Sequence, residues 1–235
     1  MQTPHPKNRR KSALTTLAVT GSIGSGKSAV TKLLQSLGAH IIDADVLARV
    51  VVSPRSPAMR SIVRAFGAQV VQADGRLDRK ALGGIIFASA AKRHLLERIL
   101  HPRIEREFRR QLKALRQRLG AKGGVIVYAV PLLFECHHRF EDFDYVLVVY
   151  APKRLAIERV MKRDLCSRSE ALRRYQSQMP IAEKVRRADL VIDNSGSRAS
   201  LSAQVRKLWS NLRNCSVTPG SVIIPPRGRR VGSAQ

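Results

Sequence analysis

The sequence predicts an α/β fold of three α/β/α layers around a five-stranded parallel sheet, with a helical insertion and an arginine-rich lid. Two observations carry this prediction. Five short apolar runs rich in β-branched residues alternate with stretches of helical periodicity, the pattern of strand–helix–strand crossovers. The first run, residues 14–20, passes straight into Gly21-Ser22-Ile23-Gly24-Ser25-Gly26-Lys27-Ser28, a glycine-rich turn in front of a helical segment.

That turn fits G-x-x-x-x-G-K-[ST], and the strand before it and helix after it are the context this motif requires. Its glycines admit backbone conformations closed to other residues, so successive N–H groups point inward and, with the positive end of the helix, cradle an anion. The motif assigns Ile23, Gly24, Ser25, Gly26, Lys27 and Ser28 to the phosphates of a nucleoside triphosphate. Lys27 reaches the β- and γ-phosphates, and the Ser28 hydroxyl is a ligand for Mg²⁺. The competing reading is a glycine turn with an incidental Lys-Ser pair, and the flanking elements argue against it.

The second run, residues 39–43, is a short strand with Asp43-Ala44-Asp45 at its carboxyl end, where ligands sit in open α/β sheets. Residues 46–51 read as a helix capped by Asp45 and broken by Ser53-Pro54. An N-cap is the plain use of such an aspartate. The alternative is that carboxylates beside a triphosphate site position Mg²⁺ or accept a hydroxyl proton.

Residues 57–119 are almost wholly helical: 58–66, 78–87 after an Asp74-Gly75 turn, and 90–100, ended by His101-Pro102. Beyond Pro102, Ile104, Phe108, Leu112, Leu115 and Leu119 recur on one helix face, opposite Arg103, Arg106, Arg109, Arg110, Lys113 and Arg116. An insertion at this point is a natural place to bind an acceptor substrate. A solvated basic face is the simpler account of most of these arginines.

Val125–Val130 is a continuous apolar run suited to a central parallel strand, followed by Pro131-Leu132-Leu133-Phe134-Glu135. Tyr145–Tyr150 is the fourth strand. Pro152 then opens a helix on which Leu155, Arg159 and Arg163 lie on related turns. Residues 162–187 are densely charged; a segment of this kind acts as a lid whose arginines close over phosphates and exclude water. A basic helical hairpin without a catalytic part is the alternative. Leu190-Val191-Ile192 is the fifth strand, and Leu201, Val205, Leu208, Trp209 and Leu212 make an amphipathic closing helix. Residues 1–13 and 213–235 read as disordered basic tails.

With 235 residues and 44% hydrophobic content, the chain can bury one good core. No apolar run approaches the roughly 18 residues of a membrane span. Three cysteines without C-x-x-C spacing suit a reducing, cytoplasmic setting, and Cys136-His137-His138 lacks a second ligand pair that would make it a zinc site. The net charge of +26 fits either a nucleic-acid partner or polyanionic small substrates. Aromatic residues make up only 5%, too few for a base-stacking platform, so no specific nucleic-acid partner is expected.

The ordered set of motifs resembles the dephospho-coenzyme A kinase family. It comprises Thr20–Ser28, Asp43-Ala44-Asp45 with Arg49, Asp74-Gly75-x-Leu77-Asp78-Arg79, Leu100-His101-Pro102-x-Ile104, Val130–Glu135, Lys162-Arg163-Asp164, Gln178-Met179 and Ala188-Asp189-x-Val191-Ile192-Asp193-Asn194. The resemblance runs from residue 17 to about 212. It implies transfer of the γ-phosphoryl of ATP to the ribose 3′-hydroxyl of dephospho-CoA, with Mg²⁺, in a monomer or weak homo-oligomer. The implied kinase domain is 14–212, with core segments 14–56, 120–161 and 188–212, a CoA-binding insertion 57–119 and a lid 162–187. Asp45 matches the catalytic aspartate that orients or deprotonates the 3′-hydroxyl, and Arg163 a lid arginine on the ATP phosphates. Arg174 and Arg187 fall where further lid arginines occur, and Asn194 where the turn borders the adenine. Two positions depart from the family pattern. Ser22 stands where glycine is frequent, which makes it a candidate for strain, and Ala129 stands where many relatives carry an acid.

Overall fold

The computed structural model describes residues 14–135, 140–214 and 222–223. It divides into two compact units: one runs up to Ile41 and resumes at Ala121, and the other is Ile42–Gly120. Cys136-His137-His138 and most of both tails lie outside the described residues.

The first unit is built on the expected strands: β1 (Leu14–Thr20), β2 (His40–Asp43), β3 (Gly124–Ala129), β4 (Tyr145–Tyr150) and β5 (Leu190–Asp193). A two-residue strand, β6 (Val222–Ile223), joins them, so the segment read as a disordered tail from 213 onward carries sheet structure at this point. The order is β2-β3-β1-β4-β5-β6, and β1 pairs in parallel with both β3 and β4. Parallel strands covered on both faces are mostly apolar, which is why the runs are near-continuous rather than alternating, with Thr16 and Thr20 the buried polar residues of β1. Leu17, Val19, Val125, Val127, Leu147, Val149, Leu190 and Ile192 point to one face and form a single buried cluster. The cluster is completed by Val30 and Leu34 of α1 (Lys27–Ser36) and by Leu201, Val205, Leu208 and Leu212 of the closing helix, Arg198–Arg213. The residues between them on the strands, such as Ala18, Ile126 and Val148, are buried on the opposite face.

The second unit contains α2 (Ala44–Val51), α3 (Pro57–Phe66), α4 (Arg79–Ala88) and α5 (Ala90–Leu119). Its core gathers Val52, Ala58, Ile62, Phe66, Val70, Leu82 and Leu96. Here the structure departs from the sequence reading, because α5 does not end at His101-Pro102 but runs through Pro102 as one helix of 30 residues. A proline inside a helix removes one backbone donor and crowds the preceding turn. The carbonyl that loses its donor is that of Arg98, and the helix holds because Phe108 and Leu112 beyond the proline are buried like Leu96 before it. The Arg103 guanidinium adds a bond to the neighbouring Ile99 carbonyl at 2.5 Å.

Three further helices complete the first unit: α6 (Lys153–Asp164), α7 (Arg168–Gln176) and α8 (Ile181–Arg186); the closing helix is α9. They follow β4 and contain the segment expected as a lid. The connection between α6 and α7 turns through Leu165, which is held at φ 50° and is 92% exposed. A branched side chain in the left-handed region is costly, so this turn stores backbone strain that Gly or Asn would not.

Candidate active site

The glycine-rich loop connects β1 to α1, and its shape follows from two of its glycines. Gly26 is the N-cap of α1 at φ 91°, and a Cβ there would lie 2.0 Å from Asn194 Nδ2. Gly24 sits at φ 75°, where a Cβ would lie 2.2 Å from the Ala156 carbonyl oxygen. Neither position tolerates a side chain. No side chain caps α1 and its first turn carries no acidic residue, so the helix presents its N-terminal N–H groups and positive dipole end to an incoming anion.

Lys27 folds back over this loop, donating to the Gly21 carbonyl at 2.8 Å and the Ser22 carbonyl at 3.4 Å. The Ser22 carbonyl also accepts Ser25 N–H at 3.1 Å. Ser28, in the first turn of α1, is exposed. Its hydroxyl is a hard oxygen donor, the chemistry Mg²⁺ selects, so the residues fit the ion that the motif implies. Among the described residues, no cluster of three or more metal-ligating side chains exists to hold a metal without a nucleotide.

Ser22 is not strained. It is absent from the positive-φ residues and is buried. Burial pushes the Tyr175 phenol of α7 up, an effect that the nearby Ser22 side chain partly offsets. Ile23 packs against the cluster of Ile157, Val160 and Ala171, so one of the motif's four free positions serves to dock α6 and α7.

Asn194, in the turn after β5, is buried and donates Nδ2–H to the Ser25 carbonyl at 2.8 Å. Its own carbonyl accepts from Arg159 Nη2 at 2.9 Å. The Arg159 Nη1 and Ser25 Oγ atoms are buried without a hydrogen-bond partner among the described residues. Sequence reasoning did not single out Arg159 for the site. The signal was its position one turn before Arg163 on the same helix, where the two side chains share a face.

Arg163 itself is paired with its neighbour in the chain. Its Nε and Nη2 donate to the two oxygens of Asp164 at 2.6 and 2.9 Å, and Arg174 Nη1 reaches the same carboxylate at 3.0 Å. The Arg163 bond, helped by the Arg174 charge, holds the Asp164 carboxyl below its usual range. Arg174 also pairs with Glu170, and Arg187 with Glu183. All three arginines are exposed and partnered by acids.

In the second unit, the N-cap of α2 is Asp43 rather than Asp45. The Asp43 carboxylate accepts Asp45 N–H at 2.8 Å and Val46 N–H at 3.3 Å. This corrects the assignment of the cap and removes the plain use of Asp45. Asp45 lies in the first turn, exposed, and its carboxylate has no hydrogen bond or ion pair among the described residues.

Against known proteins, the dephospho-CoA kinase (CoaE) family matches residues 15–200. The chain belongs to the dephospho-CoA kinase family. A dephospho-CoA kinase of Geobacter sulfurreducens is 45% identical over 196 residues, covering 83% of this chain and 96% of the relative. A dephospho-CoA kinase domain-containing protein of Danio rerio is 44% identical over 200 residues, covering 85% and 86%. The solved dephospho-CoA kinase of Campylobacter jejuni superposes with a TM-score of 0.65 at 30% identity, covering 85% of this chain and 98% of that one. The chain is therefore a kinase, and membership of the dephospho-CoA kinase family places it at the last step of coenzyme A synthesis. No helix among the described residues is long and apolar enough to cross a membrane.

Proposed function

We propose that this kinase transfers the γ-phosphoryl of Mg²⁺·ATP to the ribose 3′-hydroxyl of dephospho-CoA, with Lys27, Asp45 and Arg163 as its chemical groups. The observation that carries the reading is the uncapped α1 N-terminus with Lys27 folded over a loop whose glycines admit no side chain. In this reading Lys27 leaves the Gly21 and Ser22 carbonyls for the β- and γ-phosphates, and Ile23–Ser28 surround them. Ser28 supplies the protein's ligand to Mg²⁺, which when bound neutralises charge on the β- and γ-oxygens.

Asp45 orients the 3′-hydroxyl and accepts its proton; its carboxylate is available because Asp43 carries the helix cap. Arg163 and Arg174 exchange Asp164 for the phosphoryl oxygens, where their charge opposes what spreads over the transferring group. The lid 162–187 and the CoA-binding insertion 57–119 keep their roles from the family resemblance. Asn194 borders the adenine with its backbone, its side chain being committed to Ser25. The enzyme acts in the cytoplasm as a monomer or weak homo-oligomer without nucleic acid. Part of the basic face of α5 is neutralised in place, with Arg109 on Glu105 and Arg110 on Glu107.

The test is ADP release from ATP with each of dephospho-CoA, shikimate, AMP, CMP and RNA. Stimulation by dephospho-CoA alone is expected. Stimulation by any other, with none by dephospho-CoA, overturns the reading.

A further inference from the structure

Glu135 and Lys184 form an ion pair, fully buried on the lysine side, that no part of the mechanism above uses. Lys184 of α8 is fully buried and its ammonium lies 2.7 Å from Glu135 Oε1, just beyond β3. The same Oε1 accepts Met179 N–H at 3.0 Å, and Oε2 is buried with no hydrogen-bond partner among the described residues. One carboxylate thus fixes both α8 and the turn that leads into it.

The residue before Met179 continues the chain of contacts. Gln178 Oε1 accepts the N–H of Ile23, inside the phosphate-binding loop, at 2.7 Å. Ile23 N–H and Ser22 C=O belong to one planar peptide, so fixing the first fixes the direction of the second. The Ser22 carbonyl is one of the two that hold the Lys27 ammonium, and it also closes the loop onto Ser25 N–H. The path therefore runs from Glu135 through Met179 and Gln178 to the Ser22–Ile23 peptide and then to Lys27.

We infer that Glu135 and Gln178 are positioning residues for phosphoryl transfer, which hold the Ser22–Ile23 peptide at the angle that presents Lys27 to the triphosphate. Neither needs to touch substrate. Burying the pair is costly, and a carboxylate with an unpaired oxygen is a poor choice for stability alone, since an apolar pair of equal volume packs as well or better. The inference rests on the reading of the loop as the ATP site.

The experiment is a double-mutant cycle on the full-length kinase, reading kcat and the KM values for ATP and for acceptor, with thermal unfolding in the absence of ATP. Gln178→Leu is expected to lower kcat/KM for ATP about 10- to 100-fold, the scale of a lost orienting contact. The acceptor KM and the unfolding temperature should stay near wild type. Glu135→Gln should give a loss of the same kind, and in the double variant the two losses should not multiply, as residues acting through one path do not. If Glu135→Gln does not fold, Glu135→Gln with Lys184→Met, which removes both charges, takes its place in the cycle. Unchanged kcat/KM for ATP in Gln178→Leu, or losses that multiply in the double variant, overturns the inference. Absence of dephospho-CoA-dependent turnover in the wild-type protein would instead overturn the reading of the site beneath it.

Discussion

Asp45→Asn is expected to lower kcat by on the order of 10²–10⁴ while ATP binding survives, the range for loss of a positioned general base. The substitution keeps the size and hydrogen-bonding reach of the side chain but removes the acceptor for the hydroxyl proton. It should also leave α2 intact, because Asp43 rather than Asp45 satisfies the first N–H groups of that helix. The informative comparison is with Asp43→Ala. Losing an N-cap costs about 1 kcal/mol of stability, so this variant should unfold earlier than Asp45→Asn does. Steady-state turnover, nucleotide titration and thermal unfolding of the two variants separate chemistry from capping. Near-wild-type kcat in Asp45→Asn would remove its assigned role.

Lys27→Ala is expected to lose more, in binding and catalysis together. The ammonium is the charge nearest the loop's own carbonyls, 2.8 Å from Gly21 O and 3.4 Å from Ser22 O. Its removal would delete the proposed phosphate contact and a brace of the loop at once. A single preorganised donor is worth roughly 10²–10³ in rate, and loss of ground-state phosphate binding adds to that. The total fall in kcat/KM for ATP should therefore exceed the fall for Asp45→Asn on the ATP side, with a raised ATP KM that Asp45→Asn does not show. Stopped-flow or coupled ADP assays over a range of ATP concentrations check the split. A fully active Lys27→Ala protein would contradict the assignment of the loop.

Much of the fold could be read in the chain because parallel strands buried on both faces leave an unmistakable trace of continuous apolar runs at β1, β3 and β4. The glycine motif was legible for the same reason: few residue types survive where a Cβ would meet backbone at 2.2 Å. Local rules failed where a distant or longer-range partner decided the outcome. Pro102 did not end α5 because apolar burial continues on both sides of it. The α2 cap moved to Asp43, since two aspartates two residues apart compete for one role and sequence alone does not rank them.

The contacts of Gln178, Glu135 and Asn194 were the least legible part of the site. Each reaches the loop or its supports across 44 to 169 residues of chain, a separation to which no spacing rule applies. Ser22 makes the same point in reverse. It looked like a strained substitute for glycine, yet its backbone is unstrained and its side chain is buried near Tyr175, more than a hundred residues away in the chain.

The measurement that tests the central claim most directly is the identity of the product formed from ATP, Mg²⁺ and dephospho-CoA, by mass spectrometry and phosphorus NMR. One added phosphate is expected, present as a monoester on the ribose 3′-oxygen, with one ADP released per product. A phosphate at another position, or ADP release that does not depend on dephospho-CoA, would contradict it.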